Sequence, residues 1–475
     1  MKSARIILAT AALLVLHCAT TGSDADLARR IERVENGLLP AIVIKGQPAA
    51  PMSLRDRMAF YKTPGVSVAV INNGVVEWAR GYGVREGGAD DPVTVHTIFQ
   101  AASISKPVAA AGALLLVERG ALELDSDVNR KLISWKVPEN EATRAEKVTL
   151  RRALSHTAGL TVHGYGGYSE DDSVPTLVEV LEGTKPANSA PTRVDIVPGS
   201  LWRYAGGGYS VVQQLMIDVT GKSFPTLMLE TVLRKVGMSD STFDQPLDGR
   251  WRGRAAAGHG SDGTVIKGKW HTYPEMAAAG LWTTAADLAR FAIALQQNRL
   301  LAPDTARIML TPGLGDWGLG LGMKGTGPAS RFSHGGSNEG FRASLVAYRE
   351  SGQGAVVMTN SDNGGALAQE ILFGIAKVYG WSDFAPKERT VTAVDPAVYD
   401  IYAGVYEVSP NLTVTVTREK QTLIAEAQGQ RYELLPESET NFFTLTGLDV
   451  RFVKDEAGGV THLVLTGGTS AKKVR

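Results

Sequence analysis

The sequence predicts a mixed α+β domain followed by a small all-β, barrel-like domain, with an export segment in front. Three observations carry this. Strand patterns lie at both ends of a stretch of about residues 45–385 with helical periods between them, so the ends must pair to bury the strands. After Pro386 the texture changes to short alternating runs separated by turns. Before Asp24, a short apolar run follows two basic residues.

In that first segment Lys2 and Arg5 form a basic region and Ile6 to Leu16 an apolar one. The run is too short to cross a bilayer, which takes about 18–20 residues, so residues 1–25 read as a signal peptide. Cys18, the one cysteine of the chain, follows directly. A single cysteine excludes an intrachain disulfide and a cysteine-based metal site. It stands where bacterial lipoprotein signals place the residue that is lipidated, although His17 is bulky where a small residue is favoured. Both a lipidated membrane tether at Cys18 and an ordinary cleaved signal fit, and either exports the protein to the periplasm or a membrane surface.

Residues 24 to about 54 read as a short helix and a linker. Val66-Ser67-Val68-Ala69-Val70 alternates as a strand, Asn72-Asn73-Gly74 is a hairpin turn, and Val75 to Arg80 returns. Helical periods run over Lys106–Arg119, Leu150–Ser155, Ser210–Val219 and Ala285–Gln296. Strand patterns come back at Arg331–His334, Phe341–Tyr348 and Ala355–Thr359. Together these fill one domain, residues 26–385. In residues 390–475, runs such as Leu412–Thr417, Leu423–Ala427 and Phe442–Leu445, with turns such as Ala457-Gly458-Gly459, argue for a small antiparallel barrel.

Composition narrows the function classes. Forty-four per cent hydrophobic residues allow a sizeable core, and 49 basic against 49 acidic residues give no bulk electrostatic reason to expect nucleic acid. His259 and His271 have no close histidine or cysteine partner and no H-E-x-x-H occurs, so neither a metal nor a cofactor is expected. The partner this leaves is a small-molecule or peptide substrate; the oligomeric state is left open.

Three segments carry chemistry. In Ser103-Ile104-Ser105-Lys106, Pro107 and the closing Gly120 mark a helix whose first turn holds Ser103 and, three residues on, Lys106 on the same face. Serine is a weak nucleophile that needs a base within hydrogen-bond reach, and lysine serves if burial lowers its pKa; a plain helix-capping serine with a surface lysine reads equally well from these four residues alone. In Arg203-Tyr204-Ala205-Gly206-Gly207-Gly208, three glycines allow a tight backbone that places Tyr204, either as a proton carrier or as a core residue beside a turn. Ser333-His334-Gly335-Gly336-Ser337-Asn338 begins on a strand, and its glycines let a substrate backbone lie close, though a β-bulge with a solvated histidine also fits. His156 reads as holding a turn after a helix. His163 lies in a Gly- and Tyr-rich loop of the kind that lines pockets. Trp202 reads as core or pocket wall. No G-x-S-x-G is present.

Taken together and in this order, Ser103/Lys106, Tyr204 and His334-Gly335-Gly336 resemble the class C β-lactamase and penicillin-binding-protein family, in its esterase and peptidase branch. Leu154–Leu160 and Ala278–Leu288 are similar to its supporting segments, and the resemblance covers about residues 45–375. It implies a β-lactamase/transpeptidase-like domain, an antiparallel sheet flanked by helices, with a lipocalin-like domain behind it. It also implies roles. Ser103 forms an acyl-enzyme, Lys106 and Tyr204 share the proton work, and the N–H groups of Ser103 and Ser337 form the oxyanion hole. His334 stands where the family's strand lysine does, with Gly335, Gly336, Asn338 and His163 towards the substrate. Two departures, Gly206 where the lactamases carry Asn and His334 where they carry Lys, point to peptide or ester substrates. A true β-lactamase, or a penicillin-binding sensor with slow turnover, is the alternative.

Overall fold

The computed structural model describes residues 24–381, 383–409, 412–427 and 430–475; Cys18 and all but the last two residues of the expected signal peptide lie outside them. The chain divides into two compact units, one of residues 58–368 and one made of the residues up to Arg57 together with 369–475.

The larger unit is built on a six-stranded antiparallel sheet. Its strands are β1 (Gly65–Asn72), β2 (Val75–Gly83), β3 (Gly322–Lys324), β4 (Arg331–Asn338), β5 (Phe341–Tyr348) and β6 (Gly354–Thr359), in the order β2-β1-β6-β5-β4-β3. The first hairpin thus pairs with the last three strands through β1 and β6, as burial of both ends demands. Asn73 and Gly74, with φ of 52° and 71°, form the tight turn that joins β1 to β2. The alternation in β1 suggests one wet face, yet Ser67 and Ala69 are buried with the valines, because β1 is central and α5 (below) covers its face.

Helices fill the sequence between the two halves of the sheet: α1 (Ser105–Glu118), α2 (Leu150–Leu154), α3 (Gly206–Thr220), α4 (Met276–Ala279) and α5 (Ala285–Gln296). Twelve of the fourteen residues of α1 are buried, and its Ala109-Ala110-Ala111-Gly112-Ala113 run explains how. A methyl added at Gly112 would lie 2.8 Å from Met228 Sδ, so small side chains are what let neighbouring segments close on this helix. Gly120, at φ 72°, ends it. Helix α3 begins four residues before the expected Ser210, so the three glycines form its first turn and not a loop.

In the smaller unit, residues 24–35 are helical and Ile42–Ile44 pairs in parallel with Lys387–Arg389. Eight antiparallel strands, β7 (Gly404–Ser409), β8 (Leu412–Glu419), β9 (Thr422–Ala427), β10 (Gln430–Pro436), β11 (Asn441–Phe443), β12 (Asp449–Lys454), β13 (Val460–Leu465) and β14 (Ser470–Lys473), follow one another and close into a barrel by pairing β14 with β7. Alternate side chains point inward. Tyr402, Tyr406, Phe442, Phe452 and Leu463 form its buried core, with the rings of Tyr402 and Phe452 stacked at 4.3 Å.

Candidate active site

The nucleophile turn is assembled by backbone contacts. The short strand Phe99–Gln100 pairs with Trp282–Thr283, and the Ala101 N–H donates to the Leu281 carbonyl at 2.8 Å. Ala102 then takes a left-handed φ of 48°, a conformation that costs an L-residue about 1–2 kcal/mol. It is held there by Ser105, whose hydroxyl donates to the Ala102 carbonyl at 2.6 Å and accepts the Leu281 N–H at 2.9 Å. The result presents Ser103 at the head of α1.

Lys106, one turn on, is 1 % exposed. Its Nζ donates to Ser103 Oγ at 3.0 Å and to the Ala278 carbonyl of α4 at 2.8 Å. Burial disfavours its charge and brings its pKa down to about 7. The lysine is therefore partly neutral at neutral pH, and not the surface residue that the four-residue motif also allows.

Tyr204 precedes α3. The glycines behind it let the 161–165 segment lie on the helix start: a methyl at Gly207 would stand 2.5 Å from the Thr161 carbonyl and one at Gly206 3.0 Å from the Tyr165 ring. In return, His163 and Val162 carbonyls accept the Gly206 and Gly207 N–H groups, each at 3.0 Å, which satisfies helix-end donors. The Tyr204 phenol is hydrogen-bonded to Ser103, but burial outweighs that bond and pushes its pKa up to about 12. Lys106 Nζ lies 4.9 Å from the ring centroid. Tyr204 thus rests as a neutral phenol.

Strand β4 runs on through the glycines to Asn338, paired all along with β5. Pairing with β3 stops at Ser333. Alternation puts His334, Gly336 and Asn338 on the buried face and Gly335 and Ser337 on the exposed one. Gly336 fits against the nucleophile turn because it has no side chain: a methyl there would stand 2.2 Å from the Ala101 carbonyl oxygen. His334 is 6 % exposed, and its Nδ1 hydrogen-bonds the Gly335 carbonyl at 2.6 Å. That bond makes Nδ1 the donor and leaves Nε2 bare and unpartnered. Burial, then the Lys106 charge, pulls its pKa down to about 3. His334 does not replace a lysine charge.

Asn338 is buried, with its amide nitrogen donating to Gln100 Oε1 at 2.7 Å and to the Ala279 carbonyl at 3.1 Å. It ties β4 to the two segments that frame Ser103. His163 is exposed, its ring 5.0 Å from that of Tyr204. Ser337 is exposed and lies opposite Arg342 in register. So Ser103, Lys106 and Tyr204 meet directly, with the His334 ring 6.1 Å from that of Tyr204.

Sequence reasoning missed two residues. Trp317 lies 5.4 Å from the His334 ring and 6.0 Å from that of Tyr204. It forms a wall with Trp202, whose ring is 5.5 Å away; Gly315, at φ 69° against Trp202, is the only local signal of that loop's close approach. Glu275, just before α4, is fully buried and neither carboxylate oxygen has a hydrogen-bond partner among the described residues. Burial raises its pKa to about 8. Among the described residues no three His, Cys, Asp or Glu side chains converge as metal ligands do.

A buried lysine of near-neutral pKa bonded to a strained-turn serine, with a neutral phenol on the same oxygen, is equipped for proton abstraction and acyl transfer. The family described as Beta-lactamase matches residues 53–379, and a domain of unknown function, DUF3471, matches residues 388–472. Penicillin-binding protein 4* of Bacillus subtilis is 22% identical over 437 residues, covering 86% of this chain and 94% of its own. Esterase EstB of Burkholderia gladioli is 28% identical over 199 residues, 40% of this chain and 49% of its own. The structure of D-amino acid amidase from Ochrobactrum anthropi superposes with a TM-score of 0.60 at 20% identity, over 75% of this chain and 99% of that one.

Proposed function

The chain belongs to the Beta-lactamase family of serine hydrolases, and on that footing we propose that it hydrolyses ester or amide bonds through an acyl-enzyme on Ser103, with a small ester or a D-amino-acid peptide as substrate. The observation that carries the reading is the 3.0 Å bond between Lys106 and Ser103, made by a lysine whose pKa is about 7. At pH 7 about half of such lysines are neutral, whereas a phenol at about 12 is ionised in about one molecule in 10⁵. Lys106 is therefore the base. It takes the Ser103 proton as Oγ attacks the carbonyl carbon, and the N–H groups of Ser103 and Ser337 receive the oxyanion. Collapse expels the alcohol or amine, which takes a proton relayed through Tyr204 from Lys106. Water, deprotonated over the same route, then releases the acid and regenerates Ser103.

The neutral state of His334 supports the choice of substrate. A β-lactam, like a peptide with a free C-terminus, presents a carboxylate, and this position offers no cation to meet it, which favours esters and amides that lack one. One named relative is an esterase and one superposing structure a D-amino acid amidase, which supports trying both ester and amide leaving groups.

The test is a fluorophosphonate probe on the purified mature protein, with the adduct located by mass spectrometry, alongside p-nitrophenyl esters, D-amino-acid amides and nitrocefin. The adduct should sit on Ser103, and esters or amides should turn over faster than nitrocefin. An adduct elsewhere, or undiminished hydrolysis by Ser103→Ala, overturns the mechanism; nitrocefin as the best substrate overturns the substrate class.

A further inference from the structure

The structure assigns to His156 a role that its sequence context does not suggest: we propose that it is the positioning residue that aims the Tyr204 phenol at Ser103. The proposal rests on the serine-hydrolase reading above and adds to it a residue that touches neither the nucleophile nor the base.

His156 holds Tyr204 from three sides. Its carbonyl accepts the N–H of Arg203, the residue before Tyr204, at 2.9 Å. Its Nδ1 accepts the N–H of Ala205, the residue after, at 3.1 Å. Its ring lies against the Tyr204 ring itself, 4.3 Å between centroids and 34° between planes. The backbone at Tyr204 and the plane of its ring are thus both fixed by one residue. His156 in turn is rigid. It is 2 % exposed, follows the C-cap Ser155 of α2, and adopts a left-handed φ of 60°. The rings of Tyr209 and Trp317, each 5.4 Å away, and Trp202, at 6.2 Å, complete its surroundings.

Packing alone does not require histidine here. Bonding of Nδ1 to the Ala205 N–H demands the tautomer with the proton on Nε2, and Nε2 has no hydrogen-bond partner. The fold therefore tolerates an unpaired buried N–H in order to keep an acceptor at Nδ1. The imidazole stays neutral as that requires, because burial and the charge on Lys106 both oppose its protonation. A phenylalanine would fill the same space and remove the unpaired Nε2–H, but would leave the buried Ala205 N–H without its acceptor. Placement matters because catalytic contacts are steep in distance: a displacement of about 1 Å costs about 10² in rate.

The experiment measures the rate of Ser103 acylation by an alkyl ester or a D-amino-acid amide, whichever the wild type turns over, because these leaving groups need the proton that Tyr204 relays, with thermal melting as a fold control. His156→Phe, which keeps the ring and loses the acceptor, is expected to acylate about 10–100-fold more slowly with circular dichroism unchanged. His156→Asn keeps a short-reach acceptor and tolerates the left-handed φ, and should recover most of that loss. Combined with Tyr204→Phe, His156→Phe should change the rate less than about threefold, because the hydroxyl it aims is gone. His156→Ala replaces the Phe variant if that one does not fold. A wild-type rate in His156→Phe, an Asn variant slower than the Phe variant, or the same fold-loss in both Tyr204 backgrounds overturns the proposal. Absence of wild-type labelling at Ser103 by the fluorophosphonate probe would instead sink the hydrolase reading.

Discussion

The Lys106 side-chain nitrogen stands 3.0 Å from Ser103 Oγ at a depth where the lysine is 1 % exposed. Its other acceptor is a backbone carbonyl, Ala278, and burial is the cause of its lowered pKa. The base proposed for the site is thus obtained by removing water from a cation.

The first prediction is a pH profile. Acylation needs the neutral amine, so its rate should rise with pH through about 7 and level off above. Lys106→Arg keeps the charge but cannot lose its proton, and should fall by about 10³ at every pH from 6 to 9. An active arginine variant, or a profile flat across pH 6–8, would remove Lys106 as the base.

The same burial has a stability consequence. Lys106 titrates near 7 in the fold against 10.5 when exposed. Between those values the unfolded chain holds more protons, so stability rises with pH across that window and the strain is fully present below it. Lys106→Met lacks the term. Its Tm relative to wild type should become more favourable as pH is lowered from 10 to 7, read by scanning calorimetry; a pH-independent difference would mean that the lysine is hydrated.

Two adjacent glycines should differ sharply. An alanine at Gly336 would place its methyl 2.2 Å from the Ala101 carbonyl, while at Gly335 the nearest atom, the Ala343 carbonyl, is 3.9 Å away. Gly336→Ala must push β4 off the nucleophile turn, with about 1–3 kcal/mol lost in stability and about 10² or more in acylation rate. Gly335→Ala should melt with the wild type. Equal Tm values for the two variants would show that the turn yields without cost.

These glycines also mark where the sequence was legible. The first hairpin and α5 follow from periodicity and turn chemistry, and the observed strands and helix contain the expected runs. Glycine misled the reading twice. Gly206-Gly207-Gly208 suggested a turn beside Tyr204 but forms the first turn of α3, because the 161–165 segment needs the space and supplies carbonyls to the helix end. Gly335-Gly336 suggested a strand end but stays in β4, because β5 pairs with it throughout. The residue types of the site were readable from spacing, since Ser103 and Lys106 share one helical turn. Their protonation states were not. The pKa of Lys106 depends on how completely distant segments such as α4 cover it, and the neutrality of His334 on its burial beside Trp317. Trp317 and Glu275 are single residues outside any motif, and only their contacts single them out.

Glu275 gives the last prediction, with a sign opposite to that of Lys106. Its carboxyl is buried without a hydrogen-bond partner among the described residues, and its pKa rises from 4.5 to about 8. The folded state then holds the extra proton between those values, so stability falls as pH rises through the window and is lost progressively towards 8. Glu275→Gln has nearly the same shape and cannot ionise. The absolute Tm of the variant depends on how its amide is received, so the discriminating quantity is the slope: its Tm minus that of wild type should grow as pH is raised from about 5 to above 8. In the upper part of that range the Lys106 term works the other way in both proteins and cancels from the difference, which leaves the carboxyl of Glu275 as the group reported. A difference that stays constant from pH 5 to 9 would show that Glu275 is ionised and solvated, and that α4 carries a negative charge below the carbonyl that holds Lys106.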